Sequence, residues 1–206
     1  MDGRFLTAFI LPKEWDIIGY KLKPYSLRHS LYLTALESPF ITGKMDKLTP
    51  EDILVFLRIC SSEHPSNAFR KPSLRDYWRL GRMQADIGYF YEIVKDIMVY
   101  IHDCCSAPVF YKKEKEQNEK QKENIPSPLS VATSLIGRLN FPVEEAWTMP
   151  VGQAIWYATA YSVAEGAQIK VLSTEDEQKA DFEKNFLVKL REEQQLAKNK
   201  KKGEQK

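Results

Sequence analysis

Between residues 87 and 105 the apolar side chains recur every three or four positions: Ile87, Phe90, Tyr91, Val94, Ile97, Met98, Ile101 and Cys105. A repeat of that kind keeps one side of a helix apolar, and over about five turns it commits the segment to an amphipathic α-helix. The pattern reaches back toward Pro72, where the matching positions are the small residues Gly81, Ala85 and Gly88. Small residues let a second helix approach closely, while each glycine weakens the helix by up to about 1 kcal/mol relative to alanine. One long helix is expected, kinked or broken near Gly81 or Gly88.

The remaining signals are also helical. After Pro24, Ser26 is placed to cap a helix carrying Leu27, Leu31, Leu33 and Leu36, which Ser38-Pro39 ends and Gly43 follows in a turn. Thr49-Pro50-Glu51-Asp52 combines a cap, a proline suited to the first helical position and acids at the positive end of the helix dipole. Ser127 or Ser130 caps a helix over 129–139, with Asn140 as its stop. Pro142, Glu144 and Glu145 start a short helix. Met149-Pro150 ends it and opens the next, 151–165, which Gly166 closes in a left-handed cap. Ser173-Thr174-Glu175-Asp176 begins a last helix. Residues 1–23 read as irregular, broken by Pro12 and Gly19. The expected fold is all-α, an irregular bundle of about six or seven helices.

Composition divides the chain. Residues 112–124, KKEKEQNEKQKEN, contain no apolar side chain and are followed by Ile125-Pro126-Ser127-Pro128. A solvated linker or exposed helix extension follows from that composition. The expected organisation is a helical domain over 1–110, a charged linker over 111–128, a second helical region over 129–190 and a basic tail over 191–206. Hydrophobic residues at 43% and aromatics at 12% suffice for a packed core. A net charge of +2 exerts no global pull on nucleic acid. No apolar run has the length of a membrane span, and Asp2, Glu14 and Asp16 do not fit a secretory leader, so a cytoplasmic protein is expected. Cys60, Cys104 and Cys105 read as thiols in a reducing compartment.

No residue set points to chemistry. G-x-S-x-G and phosphate-loop patterns are absent. Glu144 and Glu145 are adjacent, so on a helix they diverge by roughly 100° and do not form an acid/base pair. His102 and Cys105 share a helix face, but a zinc site needs about four ligands, and His29, His64 and Cys60 are scattered. The chain reads as non-enzymatic, with no cofactor and no metal.

Binding surfaces are better represented. On helix 151–165, Val151, Ala154, Ile155, Ala158 and Tyr161 lie on one face and Trp156, Thr159, Ala160 and Val163 on another. A helix apolar on both faces is buried or covered by a partner, and periodicity does not choose between the two. Arg70, Lys71, Arg75, Arg79 and Arg82 surround Tyr77 and Trp78, and Arg75, Arg79 and Arg82 share a face. That cluster is a solvated helix face or, alternatively, a phosphate-contacting one. Lys198, Lys200, Lys201 and Lys202 add a basic terminus.

The order FPVEEAWTMPVGQAIWYATAYSVAEGA, residues 141–167, followed by STEDE, resembles tail-assembly chaperone-like proteins of tailed bacteriophages and prophages. In those proteins a short helix with an acidic start passes through a turn like Met149-Pro150-Val151-Gly152-Gln153-Ala154 into an aromatic, alanine-rich helix ending near Glu165-Gly166. The first half is similar to prophage proteins in Pro24, Ser26, Leu27 and His29, then Ser38, Pro39, Phe40 and Gly43, then Glu51 and Asp52. These residues span about a third of the chain. The resemblance implies a small helical protein that binds the tape-measure protein or tail-tube subunits during tail morphogenesis, capturing apolar segments in a groove. Trp147, Met149, Trp156, Tyr157 and Tyr161 are the expected contacts; neither catalysis nor a cofactor is implied. A structural connector, neck or tail component would instead bury the same helix in a ring of copies. A nucleic-acid-binding regulator would use Arg75, Trp78, Arg79 and Arg82.

Overall fold

The computed structural model describes residues 3–12, 14–61, 69, 71–109 and 125–167. The charged stretch 112–124, the helix expected from Ser173 and the basic tail lie outside the described residues.

The N-terminal segment is not irregular. It forms a helix, α1 (Gly3–Phe9), and a hairpin of β1 (Trp15–Ile17) and β2 (Tyr20–Leu22). The hairpin register pairs Trp15 with Leu22 and Ile17 with Tyr20. Its two-residue turn, Ile18-Gly19, has positive φ at both positions, 47° and 76°. Glycine adopts this without cost, whereas isoleucine does not. The turn is held by the Gly19 N–H donating to Asp16 Oδ1 at 2.8 Å and by burial of Ile17 and Leu22 in the core.

Three of the helices that follow begin on reciprocal side-chain caps. In α2 (Leu27–Ala35) the Ser26 hydroxyl accepts from the His29 N–H, and His29 Nδ1 accepts from the Ser26 N–H at 3.2 Å. Glu37 (φ 50°) and Ser38 then turn the chain into the short α3 (Pro39–Thr42), which Gly43 ends at φ 72°. A 3₁₀ turn (Met45–Lys47) leads to α4 (Pro50–Ser61), where Thr49 and Asp52 cap one another. In α5 (Leu74–Ala85) Ser73 and Asp76 do the same. The break expected near Gly81 or Gly88 falls close to Gly88, at Asp86, which ends α5 and caps α6 (Ile87–Cys104) by accepting from the Tyr89 N–H at 3.0 Å. Aspartate competes well for a helix start, and its carboxylate satisfies a donor that a continuous helix would not leave free.

The buried seam of α6 is Ile93, Ile97, Tyr100 and Cys104. It lies one step round from the expected stripe, and Ile87, Tyr91 and Met98 are exposed at 68%, 63% and 44%. Tyr100 meets Tyr25 and Phe56 edge-on, and Tyr25 stacks on Phe56 at 6.3 Å. These rings anchor a core filled out by Leu33, Ile53, Leu57 and the hairpin.

The second half contributes α7 (Ser127–Leu139), α8 (Val143–Thr148) and α9 (Val151–Ala164). Asn140 closes α7 at φ 56°, and Gly166 follows α9 at φ 90°. These helices pack on α2 around Leu27, Leu135, Ala146 and Met149. The backbone seals the contact: the Leu27 N–H donates to Met149 O at 3.1 Å and the Val151 N–H to Tyr25 O at 3.0 Å. The all-α expectation holds, with nine α-helices among the described residues and one two-stranded hairpin.

The close backbone approach expected at Gly81 occurs instead at Gly152. A Cβ at Gly81 would meet nothing within 4 Å, whereas one at Gly152 would lie 2.8 Å from Ser106 O and 2.9 Å from Cys104 O. Backbone atoms do not yield as a flexible side chain would, so Gly152→Ala should lose about 2 kcal/mol in a urea unfolding titration although alanine is the better helix former. An unchanged or raised midpoint would show that α9 does not sit this tightly on the end of α6.

Candidate partner-binding surface

The aromatic residues of α8 and α9 are largely engaged within the chain. Met149 is 7% exposed and belongs to the second core cluster, with Trp147 packed against it. Trp156 is half-buried. Its indole Nε1–H donates to Ser106 O at 3.1 Å, and Phe5 of α1 meets it edge-on at 5.6 Å. Tyr157 is 38% exposed and stands between Phe9 and Phe141, at 5.6 and 5.4 Å. Tyr161 is half-buried in a polar cleft with Arg138 and Glu165. Thus α1 covers the part of α9 that carries Trp156 and Tyr157, which explains the apolar character of both faces. Trp156→Ala should therefore lower stability by about 2 kcal/mol, or roughly 6 °C in melting temperature. A melt indistinguishable from wild type would place Trp156 at an interface instead.

The basic cluster divides. Arg79 does not share a solvated face with Arg75 and Arg82. It is 6% exposed, stacks over the Tyr20 ring at 4.4 Å and pairs with Asp76 Oδ1 at 3.5 Å. Asp76 draws it inward and also takes Arg58 Nη2 at 2.7 Å, the Tyr20 hydroxyl, and the Ser73 N–H and hydroxyl at 2.8 Å each. Burial alone would raise the Asp76 carboxyl, but these donors hold it well below the usual carboxylate range. Arg75 and Arg82 remain exposed, and the Arg82 guanidinium lies over Trp78 at 5.7 Å and over Tyr89 at 4.0 Å.

With Arg79 and Asp76 turned in, the outward side of α5 carries Leu74, Tyr77 and Trp78, exposed at 90%, 59% and 62%. Around the other side of the α5–α6 junction, an apolar groove of about 480 Å³ opens between these helices and the turn before α4. Met45, Leu48, Met83, Ile87, Phe90 and Tyr91 line it. The expected partner contacts did not include these residues. The signal was present, since Leu74, Tyr77, Trp78 and Gly81 follow helical spacing, but it did not show which stripe faced outward.

The groups weighed for chemistry lie apart. His102 is exposed and faces Asp103 at 3.5 Å. Burial pushes the Cys104 and Cys105 thiols up to about 12 and raises Cys60 as well, which leaves them poor nucleophiles. Among the described residues no three His, Cys, Asp or Glu side chains gather in a way that could hold a metal ion, and no helix is long and apolar enough to cross a membrane. Comparison with protein-family models, curated proteins and solved structures finds no match to this chain.

Proposed function

We propose that this chain is a non-enzymatic assembly factor of the tail-assembly chaperone kind, acting in the host cytoplasm. It holds an apolar helical segment of the tape-measure or tail-tube protein until the tail is built. The observation that carries this reading is the apolar groove at the start of α6, where Ile87 and Tyr91 stand exposed beside the apolar wall of Met45, Leu48, Met83 and Phe90. An apolar helix face laid in such a groove is a common mode of segment capture. Exposed aromatic anchors beside a pocket are the residues that dominate such contacts, each worth about 2 kcal/mol or more. The resemblance over 141–167 supplies the tail context, although the aromatics in that stretch serve mainly to join α9 to α1 and α2.

The test is co-expression of the full chain with the tape-measure protein and, separately, the tail-tube protein, followed by affinity capture and melting. Wild type should retain one of them. Ile87→Asp/Tyr91→Asp should lose it while melting within about 2 °C of wild type, because both side chains are exposed. Failure to retain either protein, or stoichiometric recovery of the chain in finished tails, would overturn the reading, the latter in favour of a virion component.

A further inference from the structure

We propose that the outward face of α5, where Leu74, Tyr77 and Trp78 form an apolar strip flanked by Arg75 and Arg82, binds an acidic amphipathic helix of a protein partner. This rests on reading the chain as a protein-binding module, but not on the partner's identity. The strip follows i, i+3, i+4 spacing and continues through Gly81 and Ala85, both exposed; a Cβ at Gly81 would meet open space. A helix laid along it can therefore approach closely at its middle and contact large side chains at one end.

Charge selects the occupant. The charged side chains of α5 are Arg75, Asp76, Arg79 and Arg82. Asp76 and Arg79 are buried against each other, so the solvated charges of α5 itself are Arg75 and Arg82, and the exposed carboxylates nearby, Glu51 beside Gln84 and the capping Asp86, lie at its C-terminal end. A second copy docking face to face would set Arg75 and Arg82 against their own equivalents, which is unfavourable in an isologous contact. A helix with carboxylates beside its apolar stripe reverses that sign. Arg82 is already held over two rings, so less side-chain freedom is lost when it pairs. Single-stranded nucleic acid would also use Trp78 and the arginines. Burial of Arg79 leaves only two α5 cations on this face, however, and the exposed Leu74 offers nothing to a base or a phosphate.

The experiment is fluorescence anisotropy with the full chain and three labelled probes. Two are synthetic helices of about 20 residues with one shared apolar pattern, flanked by Glu in one and by Lys in the other. The third is a single-stranded oligonucleotide. The Glu helix should bind about tenfold or more tighter than the Lys helix, and more weakly as salt rises. Trp78→Ala should weaken it about tenfold, and Arg75→Glu/Arg82→Glu should reverse the preference, with circular dichroism melts recorded for each variant. Equal binding of the two helices, an unchanged preference in the charge-reversed variant, or tighter binding of the oligonucleotide would each overturn the proposal. A chain that retains a tail protein but does not discriminate the helices loses this inference alone. One that discriminates the helices but retains no tail protein loses only the assembly reading.

Discussion

Asp76→Ala is expected to destabilise the fold by about 3–5 kcal/mol, enough to consume much of the stability of a small protein. The carboxylate is 7% exposed and lies between two guanidinium groups that are themselves 9% and 8% exposed. Removing it takes from the buried Arg58 and Arg79 the carboxylate that both guanidinium groups share. It also removes the acceptor of the Ser73 N–H, one half of the capping box of α5, and the partner of the Tyr20 hydroxyl, so the hairpin, α4 and α5 lose their common tie. An exposed pair provides the scale. Arg28 Nη2 approaches Glu144 Oε2 at 2.6 Å, but the Glu144 side chain is 81% exposed, and Glu144→Ala should stay within about 1 kcal/mol of wild type. Urea titrations of the two variants at neutral pH separate the cases. Equal midpoints would show that the buried pairs around Asp76 are no more valuable than a surface bridge.

What could be read from the sequence divides along the same line between local and distant causes. Thr49-Pro50, Ser26, Gly43, Asn140 and Gly166 act on their own neighbours through caps and left-handed turns, so the residues announce them. The segment α1 carries no such signal. It exists because Phe5 and Phe9 pack on Trp156 and Tyr157, and because Gln153 Nε2 donates to Ala8 O at 2.9 Å across 145 positions. The hairpin turn places an isoleucine at positive φ, against its preference, on the strength of core burial.

Which stripe of a helix faces outward was not legible for a related reason. Helical spacing identifies stripes, but not which stripe meets the core. On α5 the outcome was set by Tyr20, 56 residues before Asp76, which pulls the polar stripe of Asp76 and Arg79 inward and leaves Leu74 and Trp78 outside. On α8 and α9 much of the aromatic density packs within the chain, where Trp156 and Tyr157 meet Phe5 and Phe9 of α1.

His29 gives the second large effect, a dependence on pH. It is 7% exposed at the third position of α2, and its Nδ1 must be unprotonated to accept from the Ser26 N–H. Burial first, then the nearby charges of Arg28 and Lys23, lower its pKa to about 4, against a small opposing pull from the Pro24 carbonyl. The unfolded histidine titrates near 6.5. Between those values the unfolded chain binds the proton and the folded chain does not, so stability rises with pH across the window. The contribution is complete above about 6.5 and is lost as pH falls toward 4, for a total of about 3 kcal/mol. The Asp76 contribution has the same sign but begins lower, since an unfolded aspartate ionises near 3.9 and the folded one is held below that. His29→Gln keeps a side chain that can reach back to the Ser26 N–H but removes the titration. Urea midpoints from pH 7.5 to 4.5 should fall steeply for wild type and only slightly for His29→Gln. Parallel declines in the two proteins would place the acid sensitivity elsewhere and leave His29 as a cap alone.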